Sequence, residues 1–295
     1  MSAIEKCPIC QSKQFRTQLS CTDSTVSHET FPISKCEKCG FLFTNNIPKK
    51  ENLGRYYQSE EYISHSNSSK GLFNKLYKLV RSITLKKKVR LLGKETGTVL
   101  ELGSGTGELL AACQIKGWAC LGVEPEEKAR KQAKKNHKIE LFETSEKIKL
   151  AENSIDRIML WHVLEHIPNL QETLGSIKYW LKKEGEILIA VPNHKSWDAK
   201  YYQESWAAYD VPRHLYHFDK NSISTLLSQH NLEIAKIKPM WFDAFYVAML
   251  SEKIKSGQKK LLKGAIIGLL SNLRALFGNQ EFSSQIFIIR HKKTK

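Results

Sequence analysis

The sequence predicts an α/β fold: a doubly wound, mainly parallel sheet with helices on both faces, preceded by a small cysteine-bearing module. Three observations predict it. The apolar run Thr98–Leu102 contains Glu101 near its end and is followed by Gly103, Gly105 and Gly107, then by the helix-forming Glu108-Leu109-Leu110. That is the strand, tight turn and helix of a nucleotide-binding βαβ unit. A second apolar strand, Leu121-Gly122-Val123, ends in Glu124 about twenty residues after the first glycine. Two C-x-x-C pairs, Cys7/Cys10 and Cys36/Cys39, stand ahead of both.

At 295 residues the chain is long enough for one full α/β core and an accessory module. Its 41% hydrophobic and 26% charged residues are ordinary for a globular protein, but the net charge of +16 favours an anionic partner: nucleic acid, acidic lipid or a phosphorylated substrate. No long apolar run precedes the first cysteines, and no uncharged stretch reaches the ~18 residues needed to span a bilayer, so a cytoplasmic location is expected.

Residues 1–50 form the first unit. Cys7, Cys10, Cys36 and Cys39 can bring four thiolates into one tetrahedral structural Zn2+ site, a zinc-ribbon-like arrangement. Disulfides are disfavoured in a reducing compartment. Cys21 and His28, in the Ser/Thr-rich spacer, are read as loop residues, and Cys113 and Cys120 as small buried side chains. The module is expected to act as a substrate-side lid or docking unit, with nucleic-acid binding the lesser option.

Residues 51–93 read as a connector. After Tyr62 and the polar loop Ser64–Lys70, the residues Leu72, Phe73, Leu76, Leu79, Val80 and Ile83 recur at helical spacing with Lys75, Lys78, Arg81 and Lys86–Lys88 between them. A basic amphipathic helix results, packed on the core or facing an anionic surface.

In the catalytic unit the glycines fall at every second position, unlike the G-x-G-x-x-G of dinucleotide enzymes. A side chain there would hold the backbone away from a ligand, and such turns often need φ > 0. A carboxylate at Glu124 can accept both hydroxyls of a ribose. With these residues the sequence resembles the class I S-adenosylmethionine (SAM)-dependent methyltransferases. The resemblance implies a Rossmann-like seven-stranded sheet with its last strand antiparallel, a SAM-binding loop of Glu101, Gly103, Gly105 and Gly107, and a ribose contact at Glu124.

Glu126–Asn136 reads as the second crossover helix, and Ile139–Phe142 as the third strand, with Glu143, Thr144 and Ser145 in the region that often meets the adenine. Ser154–Leu160 is the fourth strand, ending in Trp161-His162-Val163-Leu164-Glu165-His166. This run resembles small-molecule members of the family, including ubiquinone O-methyltransferases, which implies Trp161 and His162 beside the transferred methyl. His162 is a candidate general base, since an ordinary imidazole titrates near neutrality. Alternatively, His162, Glu165 and His166 share a helical face and hold a divalent metal with a later histidine. The Asn/Asp-Pro-Pro-aromatic tetrapeptide of base-amine methyltransferases is absent here.

Leu170–Lys183 has helical periodicity, and Glu186–Asn193 is the fifth strand. The aromatic, protic segment His194–Phe218 suits a polyhydroxy or phenolic acceptor, and its His214 and His217 are rival base candidates. A helix over Asn221–His230, strand Leu232–Met240 and a last strand Ser284–Arg290 follow, with a basic, apolar helical insertion at about 243–280. That insertion packs on the core, forms a homodimer contact, or meets an anionic membrane peripherally.

The expected protein is therefore a SAM-dependent methyltransferase (94–295) that methylates oxygen or carbon of a small molecule: a sugar, nucleotide-sugar or quinone-like intermediate. The alternatives are an RNA methyltransferase docking through the zinc module, and a SAM-binding scaffold or sensor without turnover.

Overall fold

A computed structural model describes residues 3–57, 72–258 and 260–293. The expected Tyr62, the loop Ser64–Lys70 and Lys259 lie outside the described residues, as do the side chains of Leu72, Phe73, Lys75, Leu76 and Lys78. Three antiparallel strands come first: β1 (Phe15–Thr22), β2 (Thr30–Cys36) and β3 (Leu42–Thr44). Helix α1 (Leu72–Arg90) leads into β4 (Thr98–Leu102), α2 (Glu108–Ile115), β5 (Ala119–Val123), α3 (Glu127–His137), β6 (Ile155–Trp161), α4 (Leu170–Trp180) and β7 (Leu181–Pro192). The chain closes with α5 (Trp197–Tyr202), β8 (Tyr216–His217), α6 (Lys220–Ser228), β9 (Leu232–Pro239), α7 (Asp243–Ser256), α8 (Leu261–Phe277) and β10 (Ser284–His291).

The main sheet has the order β5-β4-β6-β7-β10-β9. Strands β4 to β7 run parallel, and β10 runs antiparallel between β7 and β9. This is the Rossmann-like α/β architecture that the glycine loop and strand pattern predict. The third strand is reduced to a single parallel bridge, Val123 to Phe142. Phe142 N donates to Gly122 O and its carbonyl accepts from Glu124 N, after which the chain turns away through Ser145–Lys147. Strand β7 starts at Leu181, ahead of the expected Glu186, because Leu181 already pairs with Ile155 before a bulge.

The cysteine module is not a separate hydrogen-bonding body. Its sheet has the order β1-β2-β3-β8, so a strand from the loop after β7 completes it. Cys7, Ile9, Cys36, Phe41 and Phe43 share one apolar core with Leu160, Leu164, Leu215, Phe218 and Phe287. In the aromatic 194–218 segment Tyr202, Trp206 and Tyr209 are buried in a second core, with Trp197 and Tyr201 packed against it. Trp206 is 2% exposed, and its Nε1 donates to the buried Asp198 carboxylate at 2.8 Å.

Helix α1 keeps part of its apolar stripe in solvent: Leu79 is 57% exposed. Its C-terminal end does the packing, with Val89 and Leu92 against Val99 and Leu110.

Candidate active site

The glycine loop is pinned at the carboxyl ends of β4 and β5. Gly103 N and Ser104 N both donate to Val123 O, at 2.8 and 2.9 Å. Gly105 N donates to Glu124 Oε2 at 2.8 Å, and Glu126 N to Glu124 Oε1 at 2.9 Å. Gly103 has φ +73°, and a Cβ on it would collide with Val163 Cγ2. Gly105 has φ +52°, and a Cβ there would meet nothing within 4 Å. One glycine thus permits close packing behind the loop, and the other leaves open space in front of it.

Glu101 is 4% exposed, and its Oε2 has no hydrogen-bond partner. Burial pushes its pKa up to about 8, opposed by the nearby Lys88 ammonium and reinforced by Glu124. Lys88 Nζ sits 4.5 Å from the Trp161 ring centre, and the buried Trp161 Nε1 also lacks a partner. An orphaned acceptor and an orphaned donor near an open glycine loop suit an organic ligand bearing both charge and hydrogen-bonding groups.

His162 follows directly on β6 with φ +55°. Its Nε2 lies 3.0 Å from Asp243 Oδ2 and its Nδ1 3.4 Å from Glu165 Oε1. Burial alone would lower its pKa, but the Asp243 and Glu165 carboxylates raise it to about 10. His162 is therefore an imidazolium at neutral pH and has no lone pair to take a proton. The expected helical sharing of His162, Glu165 and His166 is also absent: Leu164–His166 is a 3₁₀ turn.

The three residues that do converge are Glu165, His166 and His214, whose ligand atoms all lie within 4.8 Å of one another. Glu165 is fully buried, and neither carboxylate oxygen has a hydrogen-bond partner. Burial would raise its pKa, but His162, His214 and His166 hold it below the ordinary value. His166 Nδ1 donates to Arg213 O at 3.0 Å, and His214 Nδ1 to Ala208 O at 2.8 Å, so each ring is oriented by a backbone carbonyl. Burial pulls the pKa of His166 down to about 4, leaving it neutral. His217 lies in β8, its Nε2 is 3.0 Å from Thr44 Oγ1, and that hydroxyl donates to His214 O at 2.7 Å. Burial lowers its pKa well below the ordinary value, so its neutral Nε2–H is the donor in that strut.

Two functional partners escape sequence reasoning. Asp243 is the first residue of α7, and nothing in its local sequence marks it as the partner of His162. Arg213 is 3% exposed and ties the N-terminal lobe to the 207–218 loop, donating to Asp23, Thr25 and Asp210 side chains and to Tyr56 O. Asp210 and Arg213 also line a cavity of about 330 Å³ together with Asp23, Trp206 and Tyr209. A recess of about 470 Å³ beside α6 and β9 touches none of these residues.

A family profile described as a methyltransferase domain matches residues 77–237 of the 295-residue chain, more than half of it. The chain belongs to the methyltransferase-domain family. Its fold is similar to that of a SAM-dependent methyltransferase from Archaeoglobus fulgidus, at 18% identity over 74% of this chain and 99% of that one, TM-score 0.50. It is similar also to a sarcosine dimethylglycine methyltransferase described as putative from Galdieria sulphuraria, at 13% identity over 72% and 86% of the two chains, TM-score 0.52. A third is phosphoethanolamine N-methyltransferase 2 of Haemonchus contortus in complex with SAM, at 16% identity over 71% and 52%, TM-score 0.50. No curated protein matches the chain.

Ahead of the methyltransferase domain, the four cysteine sulfurs lie within 4.8 Å of one another. Cys7 and Cys39 sulfurs are 3.6 Å apart, and Cys10 and Cys36 3.5 Å. Those spacings are far too long for disulfides at ~2.05 Å. They are close to the edge of about 3.8 Å of a tetrahedron with ~2.3 Å metal–sulfur bonds. Each pair is followed by a left-handed residue, Gln11 (φ +59°) and Gly40 (φ +75°), which folds the chain back around the sulfurs. Cys21 and His28 are not in the cluster.

The charge of His162 is measurable in this methyltransferase domain. Its folded pKa of about 10 exceeds the ordinary 6.5, so its ion pairs stabilise the fold fully below about pH 6.5. That contribution is lost as pH rises through about 10. In an NMR titration the His162 ring is expected to stay protonated through pH 8, and Asp243→Asn to lower its midpoint by about one unit or more. A wild-type midpoint near 6.5 would overturn this charge assignment.

Proposed function

We propose that this methyltransferase transfers the methyl group of SAM to an oxygen or carbon of a small-molecule acceptor, a sugar, nucleotide-sugar or quinone-like intermediate. The observation that carries the reading is the cluster of buried Glu165 and His214 with half-buried His166 beyond the end of β6. Methyl transfer from a sulfonium needs alignment and exclusion of water, and a proton acceptor only where the nucleophile must lose a proton. A hydroxyl or carbon acid has that need.

In this reading Gly103, Gly105 and Gly107 lie against SAM, Glu124 accepts the ribose hydroxyls, and the unpartnered oxygen of Glu101 faces a cationic part of the cofactor. Trp161 packs at the methyl end. His162, held as a cation, donates a hydrogen bond, so the base role expected for it passes to the cluster, where burial keeps His166 neutral beside His214. His217 holds the loop in place. The carbon–sulfur bond breaks as the methyl joins the acceptor, the electron pair returns to sulfur, and S-adenosylhomocysteine leaves. Cys7, Cys10, Cys36 and Cys39 bind structural Zn2+, for which their spacing and chemistry are suited.

A second reading is favoured by one observation, the absence of any hydrogen bond to the buried Glu165 oxygens. In it Glu165, His166 and His214 hold a divalent cation that polarises the acceptor oxygen.

Methyl-labelled SAM offered with hydroxyl, carbon-acid and amine acceptors tests the proposal. Transfer to a hydroxyl or carbon acid is expected, and His214→Ala should lower kcat about 10²–10⁴-fold with SAM affinity unchanged. Transfer confined to amines, or an unaffected kcat in the variant, would defeat it. A wild-type rate restored only by added divalent cation would select the second reading.

A further inference from the structure

Helix α8 is packed with its small side inward. Gly264, Gly268, Ser271, Asn272 and Ala275 are buried against the rest of the protein. A Cβ on Gly264 would lie 2.7 Å from Met249 Cα, and one on Gly268 2.7 Å from Phe245 Cα, so α7 and α8 meet backbone to backbone. Ile267 is buried with them, but most of the large apolar residues point the other way. Leu262 is 77% exposed, Ile266 51%, Leu269 49%, Leu273 39%, Leu276 49% and Phe277 83%. The first five alternate four and three residues apart, a continuous stripe along one helix face. Burying that stripe would have been the default outcome of folding, and the two glycines that let α8 sit close to α7 are what turn it outward.

We propose that this face docks on an anionic lipid surface, with α8 lying in the plane of the headgroup–acyl boundary. Charge selects this occupant. Leu261–Phe277 contains no acidic residue, and Lys260, Lys263 and Arg274 flank its stripe, the Arg274 guanidinium lying 4.5 Å from the Trp197 ring centre. The nearby Glu252 is fully buried and pairs with Lys263 at 3.0 Å. The whole chain carries +16. An amphipathic helix with leucines on one side and Lys/Arg at its margins gains from both apolar insertion and attraction to acidic headgroups. A second copy of the chain would bring the same cationic margins against themselves. Spanning the bilayer is not the mode, since no described helix is long and apolar enough to cross a membrane. Helix α7, on which α8 packs, begins at Asp243, the residue that contacts His162. The inference does not depend on the nature of the methyl acceptor.

The test is co-sedimentation of the full chain with phosphatidylcholine vesicles, with and without phosphatidylserine. At least about tenfold stronger partition onto the phosphatidylserine vesicles is expected, weakening as salt rises. The triple variant Leu262→Ser, Leu269→Ser, Phe277→Ser changes only exposed positions. It should lose that binding about tenfold or more while binding SAM as the wild type does, which separates lost docking from lost folding. Equal partition of the wild type onto both vesicles would overturn the proposal, as would unchanged binding by the variant. A dimer in solution that the variant dissolves, without vesicle binding, would assign the face to a second copy. Binding of RNA in preference to vesicles, unaltered in the variant, would also overturn it.

Discussion

Glu124→Ala is expected to raise the dissociation constant for SAM by about 10²–10⁴-fold. The carboxylate already fixes the loop, accepting from Gly105 N at 2.8 Å and from Glu126 N at 2.9 Å. Each oxygen keeps a second lone pair, so the same group can accept ribose hydroxyls without releasing the backbone. Two charge-assisted bonds to a ligand at ~1.5–3 kcal/mol each make about 3–6 kcal/mol, which is that change in affinity. The loop itself would also loosen, because Gly105 at φ +52° would lose its anchor. Calorimetric titration of the wild type and the variant with SAM measures the difference. Equal affinity would remove Glu124 from the cofactor site, and no binding by a metal-replete wild type would remove SAM as the cofactor of the free protein.

Stripping the metal from the cysteine cluster is expected to lower the melting temperature by at least about 10 °C and to disturb the catalytic domain with it. The apparent binding free energy of a structural zinc is ~10–16 kcal/mol in isolated modules, and a chain of this size loses roughly 2–4 °C per kcal/mol. The effect cannot stay local. Strand β3 pairs with β8, and Thr44 Oγ1 both donates to His214 O and receives His217. Cys7 and Cys36 share a core with Leu164 and Leu215, which flank the Glu165 cluster in sequence. Chelation, or Cys36→Ser, should therefore lower turnover as well as melting temperature. Metal analysis of the purified chain should give about one zinc per chain. A chain without metal, or a melting temperature indifferent to chelation, would sink the structural role.

These two results probe the features most legible in the sequence. The glycine loop is legible because a turn with φ > 0 and a strand ending in an acid are properties of a few consecutive residues. The cysteine pairs are legible for the same reason, since each C-x-x-C turn is local and only the pairing of the two is distant. The parallel strands β4 to β7 follow from apolar runs bounded by turns. Periodicity misjudged elements whose outcome depends on neighbours. The expected third strand is a single bridge at Phe142, and the apolar stripe of α1 remains partly exposed at Leu79. The aromatic 194–218 segment suits an acceptor by its protic residues, yet Trp206 and Tyr202 satisfy their polar atoms on Asp198 and Glu252 and so can be buried.

By itself the sequence determined the α/β fold class, the glycine turn between β4 and α2 and the cysteine set, all of them short-range conformational preferences. Tertiary structure alone decided which histidines carry charge. His162 is cationic because Asp243, far along the chain, lies 3.0 Å from its Nε2. His166 is neutral because burial and His214 oppose its protonation. The electrostatic work of charging an imidazole depends on the distance and burial of groups brought close by packing, and no local pattern encodes those distances.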